Sequence, residues 1–316
     1  MPTFEEVVRR AGQTADVRTL QPVVEKELLH HEIIRAMAEA GLLQQLTFIG
    51  GTCLRACYGS NRLSEDLDFT GGSSFKADDL RQLGATVRKG VLETYGLEVM
   101  VTEPKQDSAS GIGWQEGGKK GEQKDGQRGE QKGNVRTWKL QILTHPGSQH
   151  LPQQRIHLDI CAVRSYEPQP TVLRNHYGVE LGTSGLIIQA ESKNEILADK
   201  MLALALRPNR IKHRDLWDIG WLTQQGESCD AELVWRKCDE RGIPRAEFIT
   251  ALTNRLADLP ELQPAFNAEM GRFLPQQIVA TSLKSPGFWT YLTGAVNRCA
   301  QVLVGPSDQS APSFTM

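Results

Sequence analysis

The six cysteines form no CxxC pair, no apolar run reaches the roughly 20 residues a membrane helix needs, and positive and negative charges nearly cancel. The first absence argues against a zinc site, and packing in a helix core explains the one-turn spacing of Cys53 and Cys57 better than metal sharing. The second excludes a helical membrane span. The third, a net charge of −2 over 316 residues, gives no global field, so any polyanion site must be local. Met1-Pro2-Thr3-Phe4-Glu5-Glu6 also lacks the basic and apolar parts of a secretory leader, so a cytoplasmic protein is expected. Hydrophobic residues at 39% and charged residues at 23% are instead the mix of a soluble globular protein, long enough for about two domains.

Periodicity predicts a helix over Leu20–Leu42, a strand at Thr47–Ile49 ending on Gly50-Gly51, and a short helix from Thr52 to Tyr58 that Gly59 stops. Strand Leu67–Phe69 should place Asp66 and Asp68 on one face. A helix over Lys76–Thr94 and strands at Leu97–Thr102, Val135–Leu143 and Arg155–Val163 follow. In the last of these Asp159 shares a face with His157 and Cys161, opposite Ile156, Leu158, Ile160 and Ala162. From Ser192 onward the pattern is helical. The expected division is a mixed α/β domain over 1–190, a helical domain over 191–304 and a polar, disordered tail over 305–316. Residues 106–134, rich in Gly, Lys and Glu, read as a flexible insertion.

The chemistry lies in two short stretches. Phosphoryl or nucleotidyl transfer needs positioning, cations on the developing charge, and usually one or two divalent ions. Asp66 and Asp68 offer hard oxygen ligands two residues apart, and Asp159 a third. Gly50 and Gly51 let backbone N–H groups approach phosphates, and Thr52 adds a hydroxyl. Taken singly, an Asp-x-Asp pair is commoner in turns than at metals; in order after a Gly-Gly turn and before Asp159 it becomes specific.

Residues Phe48 to Phe69, from Ile49-Gly50-Gly51-Thr52 to Arg62-Leu63-Ser64-Glu65-Asp66-Leu67-Asp68-Phe69, resemble the first motif of the AbiEii-type nucleotidyltransferase toxins, a branch of the DNA polymerase β-like superfamily. Asn194–Leu204 and Arg214-Asp215-Leu216-Trp217-Asp218 resemble the family's other main motif, a helix with a lysine followed by an Arg-Asp-x-x-Asp helix. Lys200 and Arg207, seven residues apart, should share a helix face and lean on a triphosphate, and Asp215 and Asp218 should likewise share one. Lys200 also reads as a solvated helix lysine, Asp215 as a helix cap, and Ser64 as either a nucleotide contact or a turn residue.

The resemblance implies an α+β fold: a polymerase β-like mixed sheet with flanking helices, plus a C-terminal helical lobe. It implies a toxin of a type IV toxin–antitoxin pair with a cognate antitoxin protein, involved in phage defence, that transfers a nucleotide from an NTP to the 3′ end of tRNA and so stops translation. Asp66, Asp68, Lys200 and Asp215 would be catalytic. Asp66, Asp68 and Asp159 would hold Mg²⁺ or Mn²⁺. Gly50, Gly51, Thr52, Ser64, Lys200 and Arg207 would bind the nucleotide. Arg207, Arg210, Lys212, His213 and Arg214 form the densest basic cluster for an RNA, although a solvated loop explains them almost as well. An antibiotic or protein acceptor, a kinase-like transfer, and a nucleotide-binding regulator without turnover are the rival readings.

Overall fold

The computed structural model describes residues 3–14, 20–104, 135–145 and 153–305; the expected insertion and all of the expected tail but Gly305 lie outside them. Helices α1 (Phe4–Thr14) and α2 (Gln21–Glu39) open the chain. Pro22 in the first turn of α2 loses no helical bond, and Gly41, at φ 72°, lets the chain turn away after it. Strand β1 (Thr47–Ile49) runs straight into α3 (Gly50–Tyr58), which ends on Gly59 in the left-handed conformation, as the sequence suggests.

Next come β2 (Leu67–Thr70), α4 (Leu83–Tyr95), β3 (Val99–Thr102), β4 (Val135–Ile142) and β5 (Gln154–Cys161). The single helix expected over 76–94 is in fact two pieces, a 3-10 turn at Ala77–Leu80 and then α4. The Asp79 carboxylate accepts the Lys76 amide at 2.9 Å and tightens that first turn into its own short element. Strands β6 (Pro168–Val172) and β7 (Ile187–Glu191) follow.

The strands form one seven-stranded mixed sheet, ordered β3-β4-β5-β2-β1-β7-β6. At its centre β2 pairs parallel with β5 and antiparallel with β1, and β1 pairs parallel with β7. Alternation puts Leu67, Phe69, Leu158 and Ile160 into the core, where Phe69 stacks on Phe48 at 4.8 Å between ring centroids. The intervening residues carry the polar face. Pro168 and Pro170 sit in an edge strand, where their missing N–H groups interrupt no shared ladder.

After β7 the chain is helical: α5 (Lys193–Leu206), α6 (His213–Gln224), α7 (Ala231–Glu240), α8 (Arg245–Asp258), α9 (Gln263–Met270), α10 (Gln276–Thr281) and α11 (Phe288–Val304). Ser192 caps α5 by accepting the Glu195 amide at 3.0 Å. Helix α5 is the hub, packing on α6, α7 and α8 and touching α3. The architecture is therefore α+β, a mixed sheet with flanking helices followed by a bundle. All six cysteines are free thiols, and no described helix is long and apolar enough to cross a membrane.

Candidate active site

The carboxylates are placed by strand register. Asp68 lies abreast of Ile49 in β1 and of Asp159 in β5, so its side chain and that of Asp159 emerge on the same face of adjacent strands. Asp66, just before β2, accepts the His157 amide at 3.1 Å and lies 3.6 Å from His157 Nδ1. Burial, then the charges of Asp159 and Asp66, push the Asp68 carboxyl up to about 6.

A hard divalent cation fits this place by donor type and by charge, because it would relieve the mutual repulsion that raises Asp68. Among the described residues, no three Asp, Glu, His or Cys side chains already form a metal cage. The first glycine is explained by the same cluster. Gly50 has φ 76°, and a Cβ there would lie 3.1 Å from Asp68 Oδ2.

Gly51 has a different reason. A Cβ on it would come within 2.1 Å of Arg62 Nη2, so the space beside this residue belongs to a guanidinium. Thr52 and Ser64 are both buried and engaged: the Thr52 hydroxyl bonds the Asp66 carbonyl and lies 2.7 Å from Ser64 Oγ. The Ser64 amide donates to Glu27 at 2.9 Å. Their visible work is to fasten the Asp66 segment onto the start of α3. That start lies beside Asp68, and no side chain caps its backbone N–H groups.

Lys200 does not stand free. Its ammonium lies 2.9 Å from Asp215 Oδ1 and 2.8 Å from Asp218 Oδ2, which brings Asp215 and Asp218 together as their spacing suggests. Burial opposes these charges, but mutual attraction outweighs it: Lys200 is raised, and Asp215 and Asp218 are held below the usual carboxylate range. Arg207 reaches Asp215 at 3.0 Å, yet not along a shared helix face. Helix α5 ends at Leu206 because Arg207 precedes Pro208, which disfavours helical backbone, and the extended Arg207 swings back over α6.

The basic segment is partly consumed internally. His213 pairs with Glu269 at 2.8 Å, and Arg214 reaches Glu65 at 3.4 Å and Glu269 at 3.7 Å while covering Phe273. Lys212 adds positive potential at both Asp68 and Asp215. This segment therefore adds positive charge both to the carboxylates of the sheet and to the acid that pairs with the lysine of α5.

Two features escape a sequence reading. Arg62 grips Asp218 with two bonds, Nε to Oδ1 at 2.9 Å and Nη2 to Oδ2 at 2.8 Å. Glu27, buried on α2 with Glu25, His30, His31 and Glu32 among its apolar residues, pairs with Arg55 at 3.1 Å and accepts from Tyr177. The only clue to Glu27 was a charged residue at a core position; Arg62 lay within a recognised motif but had no distinguishing spacing.

The family model for the nucleotidyl transferase AbiEii toxin of type IV toxin–antitoxin systems matches residues 32–294. Among solved structures, the chain is similar to MenT4, a nucleotidyltransferase toxin from Mycobacterium tuberculosis H37Rv, at 13% identity and a TM-score of 0.49, covering 96% of this chain and 100% of that one. It is also similar to JHP933 from Helicobacter pylori, at 16% identity and a TM-score of 0.44, covering 89% and 91% respectively. A search of curated proteins gave no match. With its glycine turn, strand-borne aspartates and paired lysine all inside the matched span, the chain belongs to the AbiEii family of nucleotidyltransferase toxins of type IV toxin–antitoxin systems.

Proposed function

We propose that this nucleotidyltransferase adds a nucleotide from an NTP to the 3′ end of an RNA, a tRNA above all, and so halts translation. The observation that supports the reading is the basic segment Arg207, Arg210, Lys212, His213 and Arg214, from the end of the lysine helix α5 to the start of α6, where Arg207 pairs with Asp215 and the Lys212 charge acts to lower the carboxyls of both Asp68 and Asp215. A cationic segment that acts on both the sheet carboxylates and Asp215 suits a polyanionic acceptor better than a small neutral one.

Asp66, Asp68 and Asp159 would hold Mg²⁺ or Mn²⁺, which when bound neutralises charge on the triphosphate and lowers the pKa of the attacking hydroxyl. The start of α3, with Gly50 and Gly51, supplies backbone donors for phosphate. Thr52 and Ser64 shape that turn from below. Lys200, released toward the nucleotide, stabilises negative charge in transfer, and Asp215 keeps it protonated and aimed. Arg207 sets the far side of Asp215 and adds positive charge near the phosphates. The cognate antitoxin would act against this activity from a separate chain.

Purified protein with Mg²⁺, total RNA and each NTP labelled at the α phosphate tests the reading. Label should enter RNA of tRNA size and disappear when the RNA 3′ ends are oxidised with periodate beforehand. Label found on protein or a small molecule, or transferred from the γ position, overturns it.

A further inference from the structure

We infer that Arg62 is a positioning residue for nucleotidyl transfer: it fixes Asp218 beneath Lys200 while lying against the Gly50-Gly51 turn, and so sets the lysine relative to the turn. Arg62 belongs to the link between α3 and β2 and is 3% exposed. Each of its three guanidinium nitrogens donates a bond, Nε and Nη2 to Asp218 and Nη1 to the Leu63 carbonyl at 3.1 Å. Asp218 Oδ2 receives both Arg62 Nη2 and Lys200 Nζ, each at 2.8 Å. One carboxylate oxygen thus joins a residue of the sheet half to the lysine of the helical half.

Two consequences follow from charge and space. Arg62 shares the Asp218 charge, so Lys200 is held by less than a whole carboxylate and can turn toward a phosphate. Without Arg62 that charge falls on Lys200 alone and keeps it parked. On the other side, Arg62 fills the volume where a side chain at 51 would go, with Nη2 at 2.1 Å and Cζ at 3.2 Å from a Cβ there. The second glycine of the motif is required by this arginine, independently of any approach to phosphate. A lysine at 62 keeps the charge but makes no fork to Asp218.

The test uses full-length Arg62→Lys and Gly51→Ala, the second displacing the guanidinium without changing residue 62. Each is scored per amount of folded protein for growth inhibition on expression and for binding of the four labelled nucleoside triphosphates by equilibrium dialysis. Growth inhibition is independent of which acceptor is modified, so this outcome stands apart from the RNA reading. Both variants should need roughly tenfold more folded protein to halve the growth rate, and in Arg62→Lys, which leaves the glycine turn itself unchanged, triphosphate affinity should change by less than about threefold. If Gly51→Ala does not fold, Arg62→Lys alone decides. Folded Arg62→Lys with inhibition within about twofold of the parent, or inhibition lost only in proportion to folded protein, overturns the assignment.

Discussion

Asp68 and Asp159 face each other across the parallel pairing of β2 with β5, and Asp68 therefore carries its charge beside a second carboxylate. Its ordinary value of 3.8 rises to about 6 through burial first and then through Asp159 and Asp66. The folded state thus binds this proton more tightly than the unfolded chain, so ionisation costs stability as pH rises from 3.8 to about 6, and the cost is complete above that window. Asp68→Asn should stabilise the protein at pH 8 but not at pH 3.5, while abolishing transfer. Chemical unfolding at the two pH values checks this. Transfer by the parent should fall as pH drops through about 6, and raising Mg²⁺ should move that limb lower.

Asp66 is 32% exposed on its side chain and spends one oxygen on a backbone amide. Asp66→Ala should relieve growth inhibition while the thermal midpoint falls by no more than a few degrees, reflecting one lost hydrogen bond of about 1 kcal/mol. Paired growth curves and melting curves settle it. Arrest that persists in the variant would mean the toxin works without nucleotide transfer.

Lys200, partly buried, and Lys237, fully buried, should separate function from stability. Lys200→Ala leaves Asp215 with Arg207 and Asp218 with Arg62, so its folding cost should stay below about 3 kcal/mol while growth inhibition is lost. Lys237 lies 3.3 Å from Glu191, 2.7 Å from Glu195 and 2.9 Å from Asp199. Lys237→Ala removes the buried cation these acids share, leaving Glu195 to Ser165 and two backbone amides and Asp199 to Arg241, and should cost about 3–5 kcal/mol or prevent folding. Urea unfolding of the two variants makes the comparison.

Gly50→Ala places a Cβ at φ 76° and 3.1 Å from Asp68 Oδ2. The backbone strain alone should cost about 1–2 kcal/mol, and the displaced carboxylate should remove transfer. Restored transfer in a variant with this backbone strain would show that the Asp68 position is not critical.

The run from Thr47 to Phe69 was legible because three independent signals coincide there: an apolar strand, a glycine pair and alternating aspartates. Hairpin β6–β7 was not, since Pro168 and Pro170 argue against a strand and only tertiary pairing with β7 reveals one. The fates of Lys200 and Arg207 were half legible. Spacing put Asp215 and Asp218 on one face, but only the structure sets both against Lys200, and it took Pro208 to end α5 and send Arg207 to Asp215 by another route. Arg62 was hidden for a general reason: a buried ion pair between residues 156 positions apart leaves no periodic trace.

The prolines of β6 reach beyond the fold into assembly. Because Pro168 and Pro170 are two residues apart on the edge strand, the outward-facing row of that edge lacks two donors in succession. A partner strand arriving there would find acceptors without matching amides. Of the two sheet edges, β3 carries no proline and keeps its amide donors, with Met100 57% exposed, so main-chain extension of this sheet is disfavoured at β6 relative to β3.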